Sequence, residues 1–129
     1  MKLLRVPQDA VKVSIDTLTA LLAGVGRTEN VSADLPAGWT PTSAMHVQVA
    51  FDGTSGVDWP VRTVSTVRVV VWGSTPSEVR ALAGLCMGLL LTQHGVAEGV
   101  GLLPAKDPNG AYLASFTVLW SLWAVENTP

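Results

Sequence analysis

The chain is poor in charge and nearly without cysteine. Only 14% of its 129 residues are Asp, Glu, Lys or Arg, and the formal net charge is −2. Neutralising phosphates takes clustered Lys and Arg, and eight scattered basic residues do not supply it, so sequence-specific nucleic-acid binding is not expected. The single cysteine, Cys86, excludes an intramolecular disulfide framework and a zinc ribbon, and it fits a reducing compartment. Long hydrophobic runs are missing as well. The longest uncharged apolar stretch, Ala81 to Leu91, would reach about 16 Å as a helix, against a bilayer core of about 30 Å. The opening MKLLRVPQDA is broken by Arg5 and Pro7 and is too short for a signal-peptide core. The expectation is a soluble chain made in the cytoplasm. What is present is apolar content: 48% of residues, with a mean hydropathy of +0.38. That excludes disorder, and the length suits one domain that buries roughly two-thirds of its unfolded surface. So few charges over so apolar a chain suggest that other subunits cover part of the exterior.

Periodicity lays out the elements. From Gln8 to Gly24, Val11, Ile15, Leu18, Leu22 and Val25 form one helical stripe, with Asp9 placed for the first turn and Gly24 and Gly26 placed to end it. Val31 to Asp34 reads as a short strand or a loop. The segment 36–42 is broken by two prolines, and Met45 to Phe51 alternates as a half-buried strand. Asp52 to Pro60 has the composition of a loop. Val61 to Trp72, almost wholly β-branched or aromatic, is the expected centre of the sheet, with Arg62 and Arg68 on one face beside Val64, Thr66, Val70 and Trp72. Thr75-Pro76-Ser77-Glu78 matches a capping box and opens a helix to about Gln93 that is apolar almost all round. Burial on all sides is expected for it, one side against a neighbouring chain. Glu98 to Pro104 and Ala111 to Val125 read as two strands around the Asn109-Gly110 turn. The order α-β-β-β-α-β-β predicts an α+β fold, a mainly antiparallel sheet of four to five strands with both helices on one face.

The residues that carry chemistry do not converge. His46, on the polar side of a strand, is expected to be solvated, and His94 to cap helix carbonyls. Cys86 lies inside an apolar helix and reads as core filler. Asp52 and Asp58 share a segment and read as turn residues rather than a catalytic pair. The glycines from Gly95 to Gly101 lack the strand-then-helix context of a phosphate cradle. No catalytic, cofactor or metal site is expected. Two features point to contact instead. Gly84 and Gly88 make a small-residue strip, for packing within the chain or between chains. Trp39 and Trp59 sit in irregular segments, where an indole either folds back as a plug over the core or anchors a partner. The candidate interface residues are therefore Asp58, Trp59, Arg62, Arg68, Gly84 and Gly88.

With a leading helix, a Pro-rich connection and then strands, the stretch from Val67 to Ala83 (VRVVVWGSTPSEVRALA) runs from strand straight into an Ala/Leu helix. In length, element order and this junction, Arg68 to Glu78, the chain resembles the tail terminator (tail-completion) proteins of long-tailed phages, especially those of actinobacteria. The resemblance implies an α+β virion subunit that assembles as a hexameric ring at the head–tail junction. Its implied partners are further copies of itself, the tail-tube protein and a head-side connector, with no membrane and with DNA only passing through the lumen. It implies no catalysis and no cofactor. A head-closure or connector protein of the neck is the neighbouring possibility, and a small ligand-binding domain or enzyme the more distant one.

Overall fold

Alternating β-branched residues make the middle of the chain a sheet before anything else is considered. A computed structural model describes residues 4–58 and 62–127, the side chains of 55–58 and 125–127 excepted. Its elements are β1 (Leu4–Val6), α1 (Ala10–Gly24), β2 (Asn30–Ser32), β3 (His46–Asp58), β4 (Arg62–Gly73), α2 (Pro76–Leu91), β5 (Val96–Glu98), β6 (Leu103–Lys106), β7 (Tyr112–Trp123) and β8 (Val125–Asn127). The main sheet runs β2-β3-β4-β7-β5, with β6 also on β7, and β1 pairs separately with β8. Among the described residues only β2 with β3 is parallel. The fold is α+β and mainly antiparallel as expected, with more strands than the expected four to five.

Strand β4 is central, as its composition predicts. It pairs with β3 on one side and along its whole length with β7 on the other. Its odd-numbered residues Val67, Val69 and Val71 are fully buried and face the helices, as do Val47 and Val49 of β3 and Phe116 and Val118 of β7. Helix α2 lays Val79, Leu82, Ala83, Cys86 and Leu90 on this side, and α1 adds Ala10, Ser14, Leu18 and Leu22. The buried line of α1 is thus the i, i+4 row through Ala10, and Val25, expected on the apolar stripe, is 50% exposed. Ser14 is tolerated there because its hydroxyl donates to the Ala10 carbonyl at 2.7 Å.

Three local expectations are corrected. The segment 52–58 is not a loop but the far half of β3, with register shifts between Phe51 and Thr54 and between Ser55 and Asp58. Gly53 takes φ +114° at the first of these, a conformation that strains any other residue, so the glycine bends the strand instead of ending it. Thr75 occupies the N-cap of α2 with extended backbone, but its side chain makes no capping hydrogen bond, so the capping box is not formed and Pro76 at the first position sets the start. Asp9 does cap α1, its Oδ1 accepting from the amides of Val11 at 3.1 Å and Lys12 at 3.2 Å. At the other end of α2, the Leu89 and Leu90 carbonyls accept from Thr92 and Gln93 rather than from His94. Among the described residues no helix is long and apolar enough to cross a membrane.

Candidate functional site

A sheet with both helices on one face has a second face to account for. Register places Val64, Thr66, Arg68, Val70 and Trp72 of β4 on it, beside Gln48 and Ala50 of β3 and Leu113, Ser115, Thr117, Leu119, Ser121 and Trp123 of β7. Apart from the buried Thr117, these side chains are half-buried or exposed, and Trp123 is 64% exposed. Leu103 and Val100 add exposed apolar surface around a small hollow of 120 Å³ that Arg68, Ser115 and Thr117 also line. The charges among the β4 and β7 residues on this face are those of Arg62 and Arg68. Arg68 is answered by Asp52, whose Oδ2 accepts from Nη2 at 2.9 Å and from Nε at 3.0 Å. The result is a broad face of aliphatic, hydroxyl and indole groups, poor in charge, with no helix on it.

Of the six expected interface residues, Arg68 lies on this face, and Arg62 lies on it at the tip end of β4. Asp58 is the register partner of Arg62, so the long β3–β4 hairpin brings these two positions together. The Asp58 side chain and the whole of Trp59 fall outside the described residues. Gly84 and Gly88 sit apart, on the helical layer. A Cβ added at Gly88 would meet nothing within 4 Å, and one at Gly84 would meet only Leu102 Cδ1 at 3.9 Å. Close backbone packing within the chain is therefore not what the strip is used for. Within the single chain α2 has an open side, where Ala81 and Gly88 are exposed and Leu85, Met87 and Leu91 are half-buried, the side expected to meet a neighbouring chain.

Trp39 is a plug, but over the outer face and not over the core. Its ring stands edge-on to Trp72, with centroids 5.9 Å apart and planes at 71°, and its Nε1 donates to the Ala44 carbonyl at 3.0 Å. The segment 33–45 that carries it crosses one end of the outer face. Beneath it His46 is 3% exposed, which overturns its expected solvation. His46 Nε2 lies 2.8 Å from Ser32 Oγ. Burial lowers its pKa from the ordinary 6.5, the effect outweighing the Asp34 carbonyl that favours the charged ring. His46 lines a cleft of 440 Å³ with Thr28, Glu29, Asn30, Trp39 and Met45. Arg27 closes on Glu29 at 2.6 Å beside it. Sequence reasoning missed this cleft. The available signal was the Pro- and Trp-containing segment just before His46, which folds back over the strand it precedes.

Cys86 is fully buried, and desolvation pushes its thiol up to about 12, consistent with core filling. Among the described residues no three His, Cys, Asp or Glu side chains are grouped to hold a metal. Comparison with protein-family models and with curated proteins finds no match for this sequence.

Proposed function

We propose that the chain is a structural subunit of a phage neck, a tail terminator that assembles as a ring at the head-proximal end of the tail, ends tube polymerisation and joins the tail to the head connector. The observation that carries this reading is the outer sheet face, which carries no helix and on which Val64, Val70, Leu113, Leu119 and the 64% exposed Trp123 interleave with hydroxyl side chains and few charges. Such a face is usual at a site of association and uncommon on a lone soluble domain. A subunit in a ring also needs two different contact surfaces, because a closed ring is built from head-to-tail contacts. The chain offers two, the outer face and the open glycine strip of α2 on the opposite layer. The Arg68–Glu78 junction and the element order add the resemblance to tail terminators. Another neck component, such as a head-closure protein, would use the same surfaces. Deleting the reading frame from a phage that carries it separates the two: loss of a terminator gives over-long tails without heads, whereas loss of a head-closure protein leaves tails of normal length.

A second reading, a small ligand-binding domain, has one observation in its favour. The His46 cleft, at 440 Å³, is of a size for a small molecule and has polar groups along its walls. A thermal-shift screen against metabolites supports that reading if a hit is abolished by His46→Ala.

A further inference from the structure

The segment 33–45 is held onto the outer face by a short chain of polar contacts. Gln48 Nε2 donates to the Ala33 carbonyl at 3.3 Å, and Trp72 Nε1 donates to Gln48 Oε1 at 3.1 Å. Trp39 then leans on Trp72. Leu35, Trp39 and Pro41 also line a hollow with Asp107, Asn109 and Ala111, and a further contact is the knot of Ser32, Asp34 and His46. Ser32 Oγ donates to the Asp34 carbonyl at 2.6 Å. A hydroxyl has one proton to give, so at its 2.8 Å contact with His46 the serine oxygen accepts and Nε2 carries the hydrogen. The neutral ring therefore keeps its lone pair on Nδ1.

A second proton would put a charge on a ring that is 3% exposed. The charged groups nearby do not balance it. Arg27 and Glu29 satisfy each other through both carboxylate oxygens, Asp34 approaches with its carbonyl, and β2 and the facing β4 residue Trp72 bring no charge. The ring lines the cleft, and a charged imidazole gains fuller hydration by moving out of the knot into it. We infer that segment 33–45 is an acid-released strap over one end of the outer sheet face, latched by His46. Release uncovers Trp72 and Gln48 and lengthens the bare face toward the start of β3. The lowered pKa of His46 agrees with this direction. The inference stands on the local geometry and is independent of the phage reading.

The edge-on Trp39–Trp72 pair supplies a readout, an exciton couplet in the far-ultraviolet circular dichroism, assigned by its absence in Trp39→Phe. In the wild-type chain the couplet should disappear as pH falls, with a midpoint below 6.5, while amide protection of Val69 and Val118 persists. His46→Gln places an amide N–H where Nε2 stood but does not titrate, so its couplet should persist down to the carboxylate range near about 4. A couplet that survives to that pH in the wild type overturns the inference. So does its loss at the same pH in both chains. If the glutamine fails to seal the latch, the couplet is already absent at neutral pH. The decision then rests on the His46 ring proton resonances of the wild type: a shared midpoint with the couplet supports the latch, and a different midpoint overturns it.

Discussion

Adjacent residues of β4 test the one-sided architecture and the role of its bare face together. Val71 is fully buried against the helices, whereas Val70 is half-buried on the outer face between Gln48 and Ser115. Val71→Asp forfeits about 2 kcal/mol of apolar burial. The new carboxylate must also be protonated or carried charged into the core, and a pKa raised by about 3–5 units at about 1.36 kcal/mol each adds about 4–7 kcal/mol. The sum, about 6–9 kcal/mol, is comparable with the whole stability of a domain, about 5–15 kcal/mol. Val70→Asp keeps its carboxylate in water and loses at most about 1–2 kcal/mol from partial burial and strand preference. Urea unfolding of the two variants should therefore show one unfolded or barely folded chain and one folded chain. The folded Val70→Asp chain should fail to assemble into tail-joined heads, because docking would strip water from its charge. Equal destabilisation of both variants refutes the one-sided packing. A folded Val70→Asp chain that assembles normally refutes the contact role of the face.

Three further outcomes follow from the same geometry. Gly88→Ala, in open space within an α-helix, should raise monomer stability by about 0.5–1 kcal/mol, yet weaken assembly if the strip takes a neighbouring backbone; chemical denaturation and native mass spectrometry read the two effects. Asp9→Ala should cost about 1 kcal/mol and speed exchange at the Val11 and Lys12 amides, while Thr75→Ala, with no capping bond to lose, should cost a few tenths at most, on the order of 0.3 kcal/mol, by the same denaturation. Burial holds the Cys86 proton in the folded chain up to about 12, whereas the unfolded thiol loses it above 9.0. Stability therefore falls as pH climbs from 9.0 toward 12, by up to about 1.36 kcal/mol per pH unit, and comparison with Cys86→Ala isolates that slope.

What the sequence made legible, and what it did not, divides along physical lines. The valine run of β4, the Asp9 cap and the α+β order were readable because each rests on local periodicity or on a side chain acting within a few residues of itself. The far half of β3 was not, because Gly53 and Gly56 signal a turn locally, while pairing with β4 is a tertiary effect that overrides them. Thr75 shows the complementary failure: residue type and spacing suit a capping box, but the hydroxyl does not take the bond. The short strands β1, β2, β5, β6 and β8 have three or four residues each, too few to show a period. The candidate site was half visible. Arg62 and Arg68 were placed on their shared face by alternation alone, but the bareness of that face depends on where the helices pack. The burial of His46 depends on a segment folding back, which no periodicity records.

Counting the copies of this chain in place decides whether it is a ring subunit of a tail neck. An electron cryomicroscopy reconstruction of the particles should show a single ring of six copies between the last tail-tube ring and the head connector, with the outer sheet face or the α2 strip in contact with a neighbour. A single copy there, or none, or copies distributed along the tail, contradicts it.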